Sequence, residues 1–137
     1  MDDMKSAFFI AGSGMRAQSA RLRIISENIA NKDSTADVPG GDPYRRKTIT
    51  FRNELDRALN TELVGVSKYG EDMSAFRLEY DPGHPAANED GYYKRPNVNT
   101  MIEMMDMREA QRTYEANLNV VRSAKTMINN TVDLLKR

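Results

Sequence analysis

From Met107 to the end of the chain, apolar or small side chains recur at alternating steps of three and four residues: Met107, Ala110, Tyr114, Asn117, Val121, Ala124, Ile128, Thr131 and Leu135. A seven-residue repeat predicts a long helix with a seam that needs a partner helix, because a stripe of period 3.5 stays in register only with a supercoiled neighbour. The other end of the chain offers one. Met4, Phe8, Ala11, Met15, Gln18, Leu22, Ile25 and Ile29 follow the same alternation. The carboxy-terminal stripe is also wider than a single partner covers: Leu118 and Val132 lie beside it on one flank, and Val120, Met127 and Leu134 on the other. Such flanks predict helix packing between molecules as well as within one.

The first helix is expected over about residues 3–31, with the charged Arg16, Arg21, Arg23 and Glu27 outward. Gly12-Ser13-Gly14 interrupts it, and each glycine costs a helix interior about 1 kcal/mol relative to alanine. The pair reads as a soft spot, or as a place where another backbone comes close. Neither a preceding strand nor a following lysine supports a phosphate loop. Asn31 is placed to take the left-handed turn that closes a helix, with Asp33, Ser34 and Thr35 bonding nearby backbone.

Val38-Pro39-Gly40-Gly41-Asp42-Pro43 reads as a turn-rich linker. Beyond it the period changes. Thr48–Phe51, Leu63–Tyr69 and Phe76–Tyr80 read as short strands, Glu54–Leu63 as a short helix, and Asp81–Pro85 and Asn88–Gly91 as turns. An insert this small is expected to lean on the helices or on a neighbour. The last helix starts after Pro96, with Thr100 and Glu103 as a capping box, acid early at Glu103, Asp106 and Glu109, and base late at Lys125, Lys136 and Arg137. The expected fold is mainly α with a small β-rich insert, the long terminal helices forming a coiled-coil-like assembly core. Residues 1–35 carry the first helix, 36–96 the linker and insert, and 97–137 the second helix.

Composition narrows the functional classes. The 137 residues include twenty basic and twenty acidic side chains, so no whole-molecule field draws nucleic acid or a membrane surface. A charged fraction of 29% and a mean hydropathy of −0.68 leave little for dry core. There is no cysteine, which excludes disulfides, thiolate metal sites and cysteine nucleophiles. No apolar run approaches the ~18 residues of a membrane span. The start, Met1-Asp2-Asp3-Met4-Lys5, carries acid where a secretory signal carries base, so the general secretory route is not expected.

Candidate chemistry is sparse. Glu103, Asp106 and Glu109 occupy early helical turns where acid suits the dipole, and read as a solvated face. His84, the only histidine, has no carboxylate pattern beside it and reads as a turn or packing residue. Tyr44-Arg45-Arg46-Lys47 reads as a solvated strand edge, with an acidic protein neighbour as the functional alternative. The nine methionines suit adaptable packing. Nothing pairs a nucleophile with a base, and no cofactor or metal is expected.

Specific strings then carry more than the periodicities. Ser26-Glu27-Asn28-Ile29-Ala30-Asn31-Lys32-Asp33-Ser34 resembles the asparagine-rich amino-terminal signature shared by bacterial flagellar rod, hook and hook-associated proteins. Tyr80–Pro85, Gly91–Asn99, Glu103–Met107 and Tyr114-Glu115-Ala116-Asn117 through Ala124-Lys125 look like segments of a rod member of that family. The family often has valine where Tyr93 stands here.

The resemblance implies a non-enzymatic subunit of the proximal rod, the drive shaft crossing the periplasm in the flagellar basal body. It implies a helical array of subunits whose terminal helices surround an export channel, with the insert outward. The implied partners are copies of itself, other rod subunits, the MS ring and export gate on one side, the distal rod on the other, and the flagellar type III apparatus, which exports the chain without a cleaved signal. No nucleic acid and no membrane insertion are implied. The expected assembly interface comprises Met4, Phe8, Ala11, Met15, Leu22, Ile25 and Ile29 with Met107, Ala110, Tyr114, Asn117, Leu118, Val121, Ala124, Met127, Ile128 and Leu135, to which the shared signature adds Asn28 and Asn31. The alternative reading is a soluble cytoplasmic helical adaptor or export chaperone that binds a client helix along the same stripe.

Overall fold

The computed structural model describes residues 2–136; Met1 and Arg137, the last of the expected late bases, lie outside the described residues. The chain forms α1 (Asp2–Ala30), β1 (Lys47–Asp56), β2 (Thr61–Glu71), β3 (Arg77–Tyr80), β4 (Tyr92–Arg95) and α2 (Thr100–Leu135). Two long helices at the ends of the chain therefore flank a small strand insert, as expected. Two compact units arise, one from Met1–Leu22, Thr50–Lys68 and Arg108–Arg137, the other from Arg23–Ile49 and Tyr69–Met107.

α1 runs unbroken through both glycines. Its close is not a left-handed asparagine, because Asn60 is the only non-glycine residue with positive φ among the described residues. Asn31 Nδ2 instead donates to the Glu27 carbonyl at 2.8 Å, and the Ser34 hydroxyl donates to Asn31 Oδ1 at 3.1 Å. The side chain thus satisfies a terminal carbonyl without a special backbone turn.

The expected helix over Glu54–Leu63 is absent. β1 and β2 are hydrogen-bonded neighbours joined by residues 57–60, a hairpin. Asp56 Oδ1 accepts the amides of Ala58 at 2.9 Å and Leu59 at 3.2 Å, and Asn60 follows at φ 48°. An Asx turn and a left-handed asparagine reverse the chain where residue propensities alone favour helix. The second hairpin is antiparallel, with Leu78 opposite Lys94 and Tyr80 opposite Tyr92. At its turn Gly91 has φ +84°, and a Cβ there would lie 2.8 Å from the Tyr80 ring.

The start of α2 also differs from the expectation. The cap is Asn99, whose Oδ1 accepts the amides of Met101 at 3.1 Å and Ile102 at 3.4 Å, a role asparagine fills well. Glu103 does not reach back to close a capping box, for its side chain is engaged in the interior. The last turn of α2 holds no basic residue; Lys136 stands just beyond Leu135.

Candidate assembly surface

In the first unit α1 and α2 pack as an antiparallel pair. Asp3, Met4 and Ala7 share a groove with Val120, Ser123 and Met127, a Cβ on Gly14 would lie 2.7 Å from Asn117 Nδ2, and Arg21 reaches Glu109 at 3.6 Å. As one helix advances the other recedes. The contact is built from small residues: Ala11, Ala110 and Ala124 are buried, Ala110 completely. Gly14 is therefore not where a backbone approaches but where the Asn117 side chain fits.

α1 also has a second buried face that the apolar seam does not reveal. Ser13 and Ala17 are buried; the Ser13 hydroxyl donates to the Ile10 carbonyl at 2.7 Å and accepts the Val64 amide at 3.1 Å. Thr61 donates to Ser6 at 3.3 Å. The β1–β2 hairpin thus leans on α1 through hydroxyl groups. Gln18, on the seam, has a buried Oε1 without a hydrogen-bond partner.

The expected interface residues fall into three groups. Ala11, Ile25, Asn28, Ala110 and Ala124 are buried within the subunit. Met4, Met15, Leu22, Ile29, Asn31, Met107, Tyr114, Asn117, Leu118, Val121 and Ile128 are half-buried. Phe8, Met127 and Leu135 are exposed, Met127 at 51%. With Val120, Val132 and Leu134 also exposed, the subunit leaves a long apolar surface on α2 in water. A run of this kind is larger than the scattered apolar residues of an ordinary surface.

In the second unit the signature residue Asn28 organises a polar core. Its Oδ1 accepts the Lys47 amide at 2.9 Å and the Tyr44 hydroxyl at 2.7 Å; its Nδ2 donates to the Lys47 carbonyl at 2.9 Å and to Glu103 Oε2 at 3.5 Å. Glu103 is not on a solvated face. It is wholly buried, and its Oε1 accepts from Arg46 Nε. Arg46 also faces Asp72 at 3.5 Å and Asp106 at 3.8 Å. Burial pulls the Arg46 pKa down, but the hydrogen bond to Glu103 and the charges of Glu103, Asp72 and Asp106 more than offset it, so the net shift is upward. Burial likewise raises the Tyr44 pKa.

The segment Tyr44–Lys47 is therefore not an open basic edge. Arg45 stacks on Phe76 at 4.1 Å and donates to the Asp72 carbonyl at 2.9 Å, while Lys47 pairs with Glu27 at 2.9 Å, a contact that raises its pKa. Its acidic neighbours come from its own chain. The charge pattern hid this because Arg46 and Glu103 are 57 residues apart.

His84 packs as a turn residue. Its ring stacks on Tyr93 at 3.9 Å, its Nδ1 accepts the Ala86 amide at 3.0 Å, and its Nε2 lies 3.2 Å from the Thr35 hydroxyl. Tyr93 also places a hydroxyl that donates to Glu79 at 3.1 Å. Among the described residues no group of three or more acidic or histidine side chains is placed to hold a metal, and no helix is long and apolar enough to cross a membrane. The methionines are used unevenly: Met73, Met101, Met104 and Met105 are exposed, a composition suited to adaptable contacts.

Comparison with known proteins gives the family. A family model described as flagella basal body rod protein matches residues 9–37. A second, described as flagellar basal body rod FlgEFG protein C-terminal, matches residues 89–134. The chain is 57% identical to the flagellar basal-body rod protein FlgC of Agrobacterium fabrum over 136 residues, covering 99% of this chain and 98% of the relative. It is 39% identical to FlgC of Salmonella typhimurium, covering 93% and 94%, and 37% identical to FlgC of Borreliella burgdorferi, covering 96% and 97%. With full-length similarity of this degree, the chain belongs to the FlgC family of flagellar basal-body rod proteins.

Proposed function

We propose that this structural rod subunit polymerises through the exposed side of its α1–α2 pair, and that residues 1–35 and 97–137 form the assembly core while residues 36–96 face outward. Family membership makes the chain a non-enzymatic component of the flagellar basal body that assembles with other rod components. The observation that carries the finer reading is the uncovered stripe of α2: Val120, Met127 and Leu134 are 45%, 51% and 70% exposed on one flank of a helix whose other side is already packed. Leaving such residues in water is costly, at roughly 25 cal/mol per Å² of apolar surface, and neighbouring subunits remove them from it.

In this reading the subunit stands in the proximal rod, its terminal helices around the export channel. Copies of itself and other rod subunits flank it, with the MS ring and export gate on one side and the distal rod on the other. It reaches the periplasm through the type III apparatus without a cleaved signal and passes torque along packed helices. The alanine-lined seam and the buried Asn28–Glu103–Arg46 core support the last point, since close packing and satisfied polar networks transmit strain with little give.

Fractionation tests the reading. The intact chain is expected in purified basal bodies, and a chain lacking residues 121–137, or carrying Val121→Asp with Ile128→Asp, is expected to be absent from them. Normal flagella assembled from the shortened chain would contradict it.

A further inference from the structure

The two long edges of the α1–α2 pair in the first unit differ. On one edge Asp3, Met4 and Ala7 of α1 and Val120, Ser123 and Met127 of α2 wall an open, largely apolar groove of about 500 Å³. Its charged lip is acidic, at Asp3. On the other edge Phe8, Gly12, Met15 and Arg16 of α1 meet Tyr114 and Val121 of α2 around a smaller groove of about 320 Å³. Here the lip is the Phe8 ring, 37% exposed and edge-on to Phe9 at 5.8 Å. The charge on this edge is basic. Arg16 is exposed, and so is Lys125, which stands four residues beyond Val121 on the same side of α2.

We infer that these edges are the two halves of one contact between copies of this chain: the edge bearing Phe8, Arg16 and Lys125 docks on the Asp3–Met127 groove of the next subunit. This deepens the reading of the chain as a rod subunit and rests on it. Unlike edges bring an aromatic lip to an apolar groove and basic residues to Asp3; like edges would set groove against groove and equal charge against equal charge, which disfavours the pairing. The contact is heterologous, since each subunit offers a different edge to each neighbour. A heterologous contact that does not close generates an open helical array instead of a symmetric dimer. The step of seven residues from Val120 to Met127 to Leu134 continues the groove edge along α2, so the contact follows a helical line.

The chain contains no cysteine, which gives the inference a direct test. Gly12→Cys and Ser123→Cys place one thiol on each edge; a Cβ at Gly12 meets nothing closer than Arg16 Nη1 at 4.0 Å, and Ser123 is exposed. Mild oxidation of basal bodies carrying both substitutions is expected to give a ladder of linked dimers, trimers and longer products, while either substitution alone gives none. Dimers from a single substitution, or no chain-to-chain product from the pair in basal bodies with a normal content of the chain, would overturn the inference and leave the rod reading standing. A wild-type chain missing from basal bodies would instead overturn the rod reading. Should the cysteine pair fail to assemble, a charge exchange decides: Asp3→Lys and Lys125→Glu are each expected to lower rod yield several-fold and together to restore most of it. A combination no better than either single change overturns the docking.

Discussion

Asn28 holds the backbone of Lys47 from both sides, its Oδ1 accepting the Lys47 N–H at 2.9 Å and its Nδ2 donating to the Lys47 carbonyl at 2.9 Å. One amide side chain thereby stands in for the ladder partner of an extended residue at the start of β1, and it does so while buried. Asn28→Ala leaves the Lys47 backbone groups, the Tyr44 hydroxyl and one oxygen of Glu103 short of a partner. Each buried group left unpaired costs about 1–3 kcal/mol, so the expected loss is at least about 2 kcal/mol in urea unfolding of the purified subunit. A loss under about 0.5 kcal/mol would contradict the role.

The ion pair between half-buried Arg46 and fully buried Glu103 gives a second prediction. Removing one partner of such a pair costs about 3–5 kcal/mol, because the other charge is stranded, whereas replacing both by apolar residues is often far less harmful. Arg46→Met, which strands the buried Glu103 carboxylate, is therefore expected to destabilise more than Arg46→Met combined with Glu103→Leu. A double-mutant cycle on the two positions checks this. Additive effects would show that Arg46 and Glu103 do not depend on each other.

The two glycines of α1 separate propensity from fit. Gly12→Ala meets only the end of the Arg16 side chain, at 4.0 Å, and is expected to stabilise by about 0.5–1 kcal/mol. Gly14→Ala gains the same propensity but sets its Cβ against Asn117 Nδ2 at 2.7 Å, so it is expected to be less stable than Gly12→Ala by about 1 kcal/mol or more. Thermal unfolding of the two variants compares them; equal midpoints would remove the packing role of Gly14.

Acid should weaken the second unit. The Ser74 backbone and hydroxyl lower the Asp72 pKa, with Arg46 adding to the effect; hydrogen bonds from Arg95 and Tyr93 lower that of Glu79; Lys94 lowers that of Asp42. With folded values below the unfolded ones, the unfolded chain binds more protons in acid. The contribution of these groups is fully present above ordinary carboxylate values of about 4 and is lost as the pH falls through their folded values. The urea midpoint is expected to be constant near neutrality and to drop below about pH 4, and Glu79→Gln to flatten part of that drop. A midpoint that rises on acidification would contradict the assignment.

The helical ends were legible because their seam is written in apolar letters at a fixed period. Ala110, Ala124 and Ala11 are buried where the heptads place them. The second buried face of α1 was less legible, for Ser13, Ala17 and Asn28 are small or polar and Ile24 beside them makes no stripe; hydroxyl and amide bonds to the strands add to the burial of Ile24 in holding that face. The burial of Glu103 is not legible in its own helix, because its partner Arg46 is distant in sequence and spacing along one helix carries no trace of it. Over Glu54–Leu63 the summed propensity favours helix, while one aspartate and one left-handed asparagine are enough to turn a hairpin. The string around Asn28 pointed to the family, while Asn28 itself is buried within the subunit, where it holds the Lys47 backbone.

The central claim is that the exposed side of the α1–α2 pair is the surface by which subunits assemble. A density map of the assembled rod, resolved well enough to trace side chains, tests it most directly. The expected result is that Phe8, Val120, Met127 and Leu134 of each subunit are covered by the helices of a neighbour. A map in which these side chains face solvent, with subunits joined instead through residues 36–96, would contradict it.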